Sequence, residues 1–370
     1  MLIRNASCFQ PDGSFQTGDL YIEDGKFASA AGGEVLDAQG LTAIPGLVDV
    51  HFHGCVGHDF CEGTPEAIDA ITRYEASVGV GAVCPATMTF PEEVLGKIAD
   101  AAAAWRTTGE GAELVGINME GPFIAESKKG AQNAAYLRKP DAEMFRRLQK
   151  RANGLFKLCD IAPEVEGGLA CIREIADEVR VSLAHTAADY ETAEQAFRSG
   201  AKQVTHLYNA MQPYTHRAPG LIGAAYDFAE TVELIADGVH IHPAAVRLTF
   251  RSFGDERMIL ISDSMMATGM PDGQYELGGQ PVTVRGNLAT LADGTIAGSA
   301  TNLFDCLRVA VRKMGIPLGS AVKAAAVNPA KAIGVYDRFG SFDIGKAANV
   351  ILLDDALNVE AIILRGKRLI

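Results

Sequence analysis

The 370-residue chain has no apolar run long enough to span a bilayer, no excess of positive charge, no paired cysteines and no glycine-rich dinucleotide fingerprint. Each absence excludes something. Its seven cysteines are scattered, odd in number and never in Cys-x-x-Cys spacing, which argues against a disulfide framework or a zinc ribbon. Most are expected as small core residues, with Cys55 and Cys61 redox-sensitive only if exposed. A formal net charge of −13 with no basic stripe to offset it speaks against nucleic acid or an anionic membrane as partner. The opening residues, MLIRNASCFQPDGSF, meet proline and polar groups at once and lack a signal-peptide core, so a cytoplasmic protein is expected. If an anionic ligand binds here, local groups must hold it.

What is present is an ordinary balance, 48% hydrophobic and 21% charged, on a chain long enough to bury a large core. Residues 1–45 read as short strands between Pro-Asp-Gly and Asp-Gly turns, and residues 337–370 have the same character. These two ends are expected to pair as one small β-sandwich domain. Between them, residues 46–336 alternate apolar strand-like runs with helical patterns. The runs lie at 47–52, 82–88, 114–119, 156–161, 179–184, 201–206, 231–236 and 257–262. Eight such units fit a (β/α)8 TIM-type barrel better than an open sheet. Residues 271–297 break the rhythm and read as an inserted β-hairpin region, after which two more helical patterns follow.

In a barrel of this kind the active site lies at the C-terminal strand ends. Strand one closes on His51-Phe52-His53. Residues two apart on a strand face the same side, so the two imidazoles point into one cavity. Two half-buried polar tips would look the same. Strand three, however, ends in Glu120, strand five in His185, strand six in His206, strand seven leads to Asp237 and His240, and strand eight ends in Asp263. A lone strand-end histidine is most often structural. Five imidazoles together with Glu120 and Asp263 suit one or two divalent cations, with zinc favoured and iron, manganese or cobalt also possible. His58 and His242 are read as structural.

These segments, PGLVDVHFHG, MEGPF, KKGAQN, IAPE, HLYNAM, ADGVH, SDSMMATG, GSATN and NPAKAIG, resemble the amidohydrolase superfamily, and within it the N-acetylglucosamine-6-phosphate deacetylase family, over essentially the whole chain. The resemblance implies that Glu120, His185 and His206 are the principal metal ligands and Asp263 the catalytic carboxylate. It implies a second metal at His51 and His53, with Glu120 as the bridge, although some members replace that pair. Lys157 lies too early in its strand to serve as the carboxylated lysine of dihydroorotase-type relatives. The implied reaction is hydrolysis of an acetamide, with Asp263 as general base then acid and His240 donating to the developing oxyanion.

The implied substrate is a small amino-sugar phosphate. Asn209, Ala210 and Arg217 supply an amide, backbone donors and a guanidinium for its phosphate, with Arg217 reaching across a homodimer; a solvated loop is the plain alternative for residues 216–220. Ala131, Gln132, Asp237, Ile296, Ala297 and Gly298 complete the expected substrate site, the last suited to close backbone approach. Gln132 departs from the family's usual histidine, which keeps N-acetylgalactosamine 6-phosphate open as substrate. Another amidohydrolase, acting on a cyclic amide or an N-acyl amino acid, and a non-catalytic barrel are the remaining readings.

Overall fold

Eight apolar runs become strands in the computed structural model, which describes residues 1–370. They are Leu47–Asp49, Val80–Val83, Ile117–Met119, Phe156–Ile161, Arg180–Leu183, Gln203–Val204, Thr231–Ile235 and Met258–Ile261, the third preceded by a short piece at Glu113–Leu114. All pair in parallel and in sequence order. Their side chains are buried on both faces, which is why they read as unbroken apolar runs instead of alternating ones. A parallel bridge from Ala86 to Asn118 links the second strand to the third. At the other seam, the Asp263 amide donates to the His51 carbonyl at 3.0 Å and the His53 amide to Ser264 at 2.7 Å. The strand order therefore returns to its start.

Helical patterns between and after the strands form Pro65–Ser77, Glu92–Ala104, Ala142–Arg151, Gly168–Ile175, Tyr190–Arg198, Pro243–Phe253 and Leu303–Arg312. One more, Gly220–Phe228, is absent from the sequence expectation. Its Pro-Gly start reads as a turn and it carries two glycines, but Leu221, Ile222, Ala224 and Ala225 are buried, so packing overrides weak propensity. The last helical pattern is interrupted by a π-turn at Lys323–Val327 ahead of Asn328–Ala332. Pro329 has no N–H to give, and the widened turn sits next to it.

Both chain ends build one sheet. Thr42–Pro45 pairs antiparallel with Val350–Leu353, and the sheet continues outward through Leu2–Phe9 on one side and Val359–Leu364 on the other. Its far edges meet again where the Ala348 amide donates to Gly25 and the Gly366 amide to Ala348, enclosing a core of Ile3, Leu20, Phe27, Val350 and Ile363 among others. One residue, Gly46, separates this sheet from the first parallel strand. A Cβ there would lie 2.6 Å from that of Asn349, so no larger residue fits the junction.

The inserted segment forms the antiparallel strands Gly273–Leu277, Gln280–Arg285 and Leu288–Thr290. Leu277, Val282 and Ala289 pack with Met88, Ala131 and Met265, which lays the insertion beside the C-terminal strand ends. No helix is long and apolar enough to cross a membrane.

Candidate active site

The strand ends converge on Glu120. Its Oε1 lies 3.0 Å from His185 Nε2, 3.2 Å from His206 Nε2 and 3.5 Å from His51 Nε2, and its Oε2 lies 3.4 Å from His53 Nε2. Asp263 Oδ1 approaches His53 Nε2 at 3.3 Å and His51 Nε2 at 3.8 Å. Residues spread over more than two hundred positions of chain thus meet in one cluster. His185, His206 and Asp263 reach this point from left-handed backbone, with φ of 45°, 30° and 49°. Non-glycine residues are held there only where the surroundings over-determine them, and such strain concentrates at functional sites.

Electrostatics explain why so many polar groups tolerate burial together. Burial alone would push the Glu120 carboxyl up, but the charge of nearby His51 and the imidazoles of His185 and His206 against its Oε1 hold it well below the usual carboxylate range. Burial likewise works against charge on His51, yet Glu120 and Glu233 hold its imidazole well above its ordinary value. Asp263 is lowered in the same way: burial opposes its charge, and His53 and His51 outweigh it. Carboxylates that demand this much positive charge are equally served by a cation. Two donor sets fit one, His51 with His53 and Glu120, and Glu120 with His185 and His206, each with its ligand atoms within 4.8 Å of one another. The Nε2 of His51 is buried and has no hydrogen-bond partner, as an unfilled ligand atom would be.

The ring nitrogens on the far side are tied down. His185 Nδ1 donates to the Lys128 carbonyl at 2.8 Å, which fixes the ring with Nε2 toward Glu120. His240 Nδ1 lies 2.8 Å from Asp237 Oδ2, while Asp237 Oδ1 accepts from the backbone of Val239 and His240. Burial works against a charged His240 ring, but the Asp237 bond raises it overall.

A cavity of about 370 Å³ opens onto this cluster. His53, Glu120, His185, His206, His240 and Asp263 line it, as do Ala131, Gln132, Asn209, Ala210, Ile296 and Gly298. Gly298 adopts φ of 64°, and a Cβ on it would lie 3.0 Å from the Asp263 carbonyl oxygen, so a side chain here would be strained and would crowd Asp263. Three residues expected at the substrate do not line the cavity. Asp237 is turned to His240, Ala297 is buried with Met265 and Leu277, and Arg217 is exposed beside a separate groove with Gln212 and Thr215. Gln132 is present but occupied: its Oε1 accepts from the Thr89 amide at 2.7 Å and its Nε2 donates to Glu120 at 2.8 Å. It braces the carboxylate.

Two groups escaped the sequence reading. Lys128 is the one lysine or arginine among the residues lining the cavity. Glu233, fully buried in the seventh strand, lies 3.2 Å from His51 Nδ1. A carboxylate in the middle of the apolar run Thr-Val-Glu-Leu-Ile was the available signal. Cys55 is buried, and burial pushes both it and Cys61 far from the thiolate form, which removes the expected basis for redox sensitivity. His58 pairs with Glu62, and His242 caps the helix after it by accepting from the Ala244 amide.

The pattern of the amidohydrolase family matches residues 42–369. The N-acetylglucosamine-6-phosphate deacetylase of Bacillus subtilis (strain 168) is 35% identical, covering 99% of this chain and 96% of its own. The N-acetylgalactosamine-6-phosphate deacetylase of Escherichia coli O157:H7 is also 35% identical, over 87% of this chain and 86% of its own. Among solved structures, a mutant N-acetyl-D-glucosamine-6-phosphate deacetylase from Mycobacterium smegmatis in complex with N-acetyl-D-glucosamine-6-phosphate superposes with a TM-score of 0.92. It is 32% identical, covering all of this chain and 98% of its own.

Proposed function

The chain belongs to the amidohydrolase family, and from this premise we propose that it hydrolyses the acetamide of N-acetylglucosamine 6-phosphate to glucosamine 6-phosphate and acetate. The observation that carries the reading is the pair of donor sets sharing Glu120 beside Asp263. In this reading the eight parallel strands are a closed (β/α)8 barrel spanning residues 46–336, with the insertion at 271–297. Residues 1–45 and 337–370 form the small β-sandwich domain. Glu120, His185 and His206 hold one divalent cation, and His51 and His53 with Glu120 hold a second; zinc suits the imidazole and carboxylate donors best, with iron, manganese or cobalt as alternatives.

A bound divalent cation supplies an acidified water and polarises the acyl oxygen. Asp263, kept ionised by its imidazole neighbours, takes the proton of the attacking water and returns it to the departing amine. His240, with Nδ1 committed to Asp237, turns Nε2 to the carbonyl oxygen and donates to it as it gains charge. Asp237 acts only through His240, as a positioning residue. Ala131, Ile296 and Gly298 shape the sugar pocket.

The phosphate is taken by Asn209, backbone at Ala210 and, from a second copy in a homodimer, Arg217. Its exposure away from its own cavity supports that assignment. The Arg217→Ala variant is expected to raise KM for the 6-phosphorylated sugar by at least about tenfold while leaving the unphosphorylated sugar unaffected, in line with loss of a charge-assisted contact worth ~1.5–3 kcal/mol. Equal effects on both sugars, measured by steady-state kinetics, would remove Arg217 from the phosphate and turn attention to Lys128.

Epimer preference separates this reading from its runner-up. Because Gln132 is held at both ends by protein, it is not free to read a sugar hydroxyl, and N-acetylgalactosamine 6-phosphate stays the second reading. Acetate release from the two epimers is expected to favour the gluco compound in kcat/KM. A galacto preference would install the runner-up, and no acetate from either would sink the deacetylase assignment, leaving another amidohydrolase or a non-catalytic barrel.

A further inference from the structure

A buried acid stands behind the imidazole donors. Glu233 sits fully buried in the seventh strand, with Oε2 3.2 Å from His51 Nδ1 and 3.3 Å from the His206 amide nitrogen. Its Oε1 accepts from Gln203 Nε2 at 2.6 Å. The direction of that bond is fixed from outside. Gln203 Oε1 accepts from Arg180 Nε and from Thr231 Oγ1, both at 2.9 Å, and a guanidinium can only donate. The amide end facing Glu233 is therefore the NH2, so Glu233 receives donors at both oxygens. The one proton His51 carries when neutral is then drawn to Nδ1, and Nε2, buried and without a partner, keeps its lone pair toward Glu120. Asn118 also lies 3.3 Å from His51 Nδ1, but its amide can turn either end to the ring and does not select a tautomer.

We propose that Glu233 is a positioning residue that makes His51 a cation ligand and thereby decides whether the His51, His53 and Glu120 set is filled. This rests on the metal-dependent reading above and goes beyond it by assigning the second cation's occupancy to a residue that touches neither cation nor substrate. Replacement by glutamine keeps the volume but forces one end to donate. Either the Gln203 bond is lost or the new NH2 faces His51 Nδ1 and drives its proton to Nε2.

The test uses the full-length protein stripped of metal and zinc(II) as the probe, with iron(II), manganese(II) and cobalt(II) tried on wild type if zinc does not bind. Wild type is expected to bind two zinc ions per chain. Glu233→Gln should bind the second about 10- to 100-fold more weakly, the range found for loss of a group that orients a metal ligand. His51→Asn should lose the same ion, and the double variant should lose nothing more. On metal-free wild type labelled with 15N-histidine, at a pH above the His51 transition, long-range 1H–15N spectra should show the single remaining His51 proton on Nδ1, with His51→Asn supplying the assignment. That measurement stands even if the Glu233 variant does not fold. Unchanged affinity for two ions in Glu233→Gln, the single proton of neutral wild-type His51 on Nε2 instead of Nδ1, or one ion only in wild type each overturns this inference alone. Wild type that binds no zinc, iron, manganese or cobalt overturns the deacetylase reading along with it.

Discussion

Replacing Asp263 with asparagine is expected to lower kcat by roughly 10³- to 10⁴-fold while metal stays bound. The magnitude follows because one group serves as both base and acid, and a positioned acid or base is worth about 10²–10⁴. Asparagine is the right probe on structural grounds. Asp263 has φ of 49°, a conformation asparagine adopts more readily than other side chains, and its backbone bonds to His51 and Ser299 do not involve the carboxyl. Folding should therefore survive, and circular dichroism with metal analysis would verify it. Near-normal kcat with metal bound would remove Asp263 from proton transfer.

The Glu120→Gln variant should lose more. Glu120 is the one group within 3.5 Å of all four imidazoles, so neutralising it weakens both donor sets at once. Metal content after dialysis is expected to fall below one ion per chain, and activity by at least about 10³-fold, since the acidified water that a cation supplies is lost with it. Thermal unfolding gives an independent readout. A ligand that binds only the folded state stabilises it by mass action, so a chelator should lower the wild-type midpoint and leave that of Glu120→Gln nearly unmoved. A variant that keeps two ions and full turnover would show that Glu120 is not the shared ligand. Gln132, which donates to Glu120 and accepts from Thr89, keeps the substituted side chain in place, so the effect reports the charge.

Much of the architecture could be read from the chain because parallel strands buried on both faces leave a plain signature. Runs such as Met258–Ile261 are apolar throughout, and polar residues stand where they end. The helix at Gly220–Phe228 was missed for the opposite reason: its glycines and Pro-Gly start carry weak local preference, and only neighbouring side chains hold it. The pairing of the two chain ends was legible from matching turn chemistry, but its register, Thr42–Pro45 against Val350–Leu353, comes from contacts more than three hundred residues apart.

The site divides in the same way. Histidines at strand ends announce themselves, because strand period and strand polarity together say which way they point. Glu233 also lies on a strand, but in its interior, where a carboxylate looks like an interruption until its partners are seen. Asp237 shares its strand end with His240, and chain order alone cannot say that one side chain holds the other. Arg217 follows Asn209 closely in sequence, yet it is exposed beside a different groove.

By itself, then, the sequence pointed to the donor chemistry: five imidazoles and two carboxylates at or just after strand ends of known direction. It did so because local periodicity controls which face a residue occupies. The tertiary structure alone decided that Glu120 is the group shared by both donor sets, that Gln132 is spent on bracing it, and that His51 Nε2 is left buried without a partner. Distances among residues 51, 120, 185, 206 and 263 depend on how the strand ends are brought together in three dimensions, and no spacing along the chain encodes that.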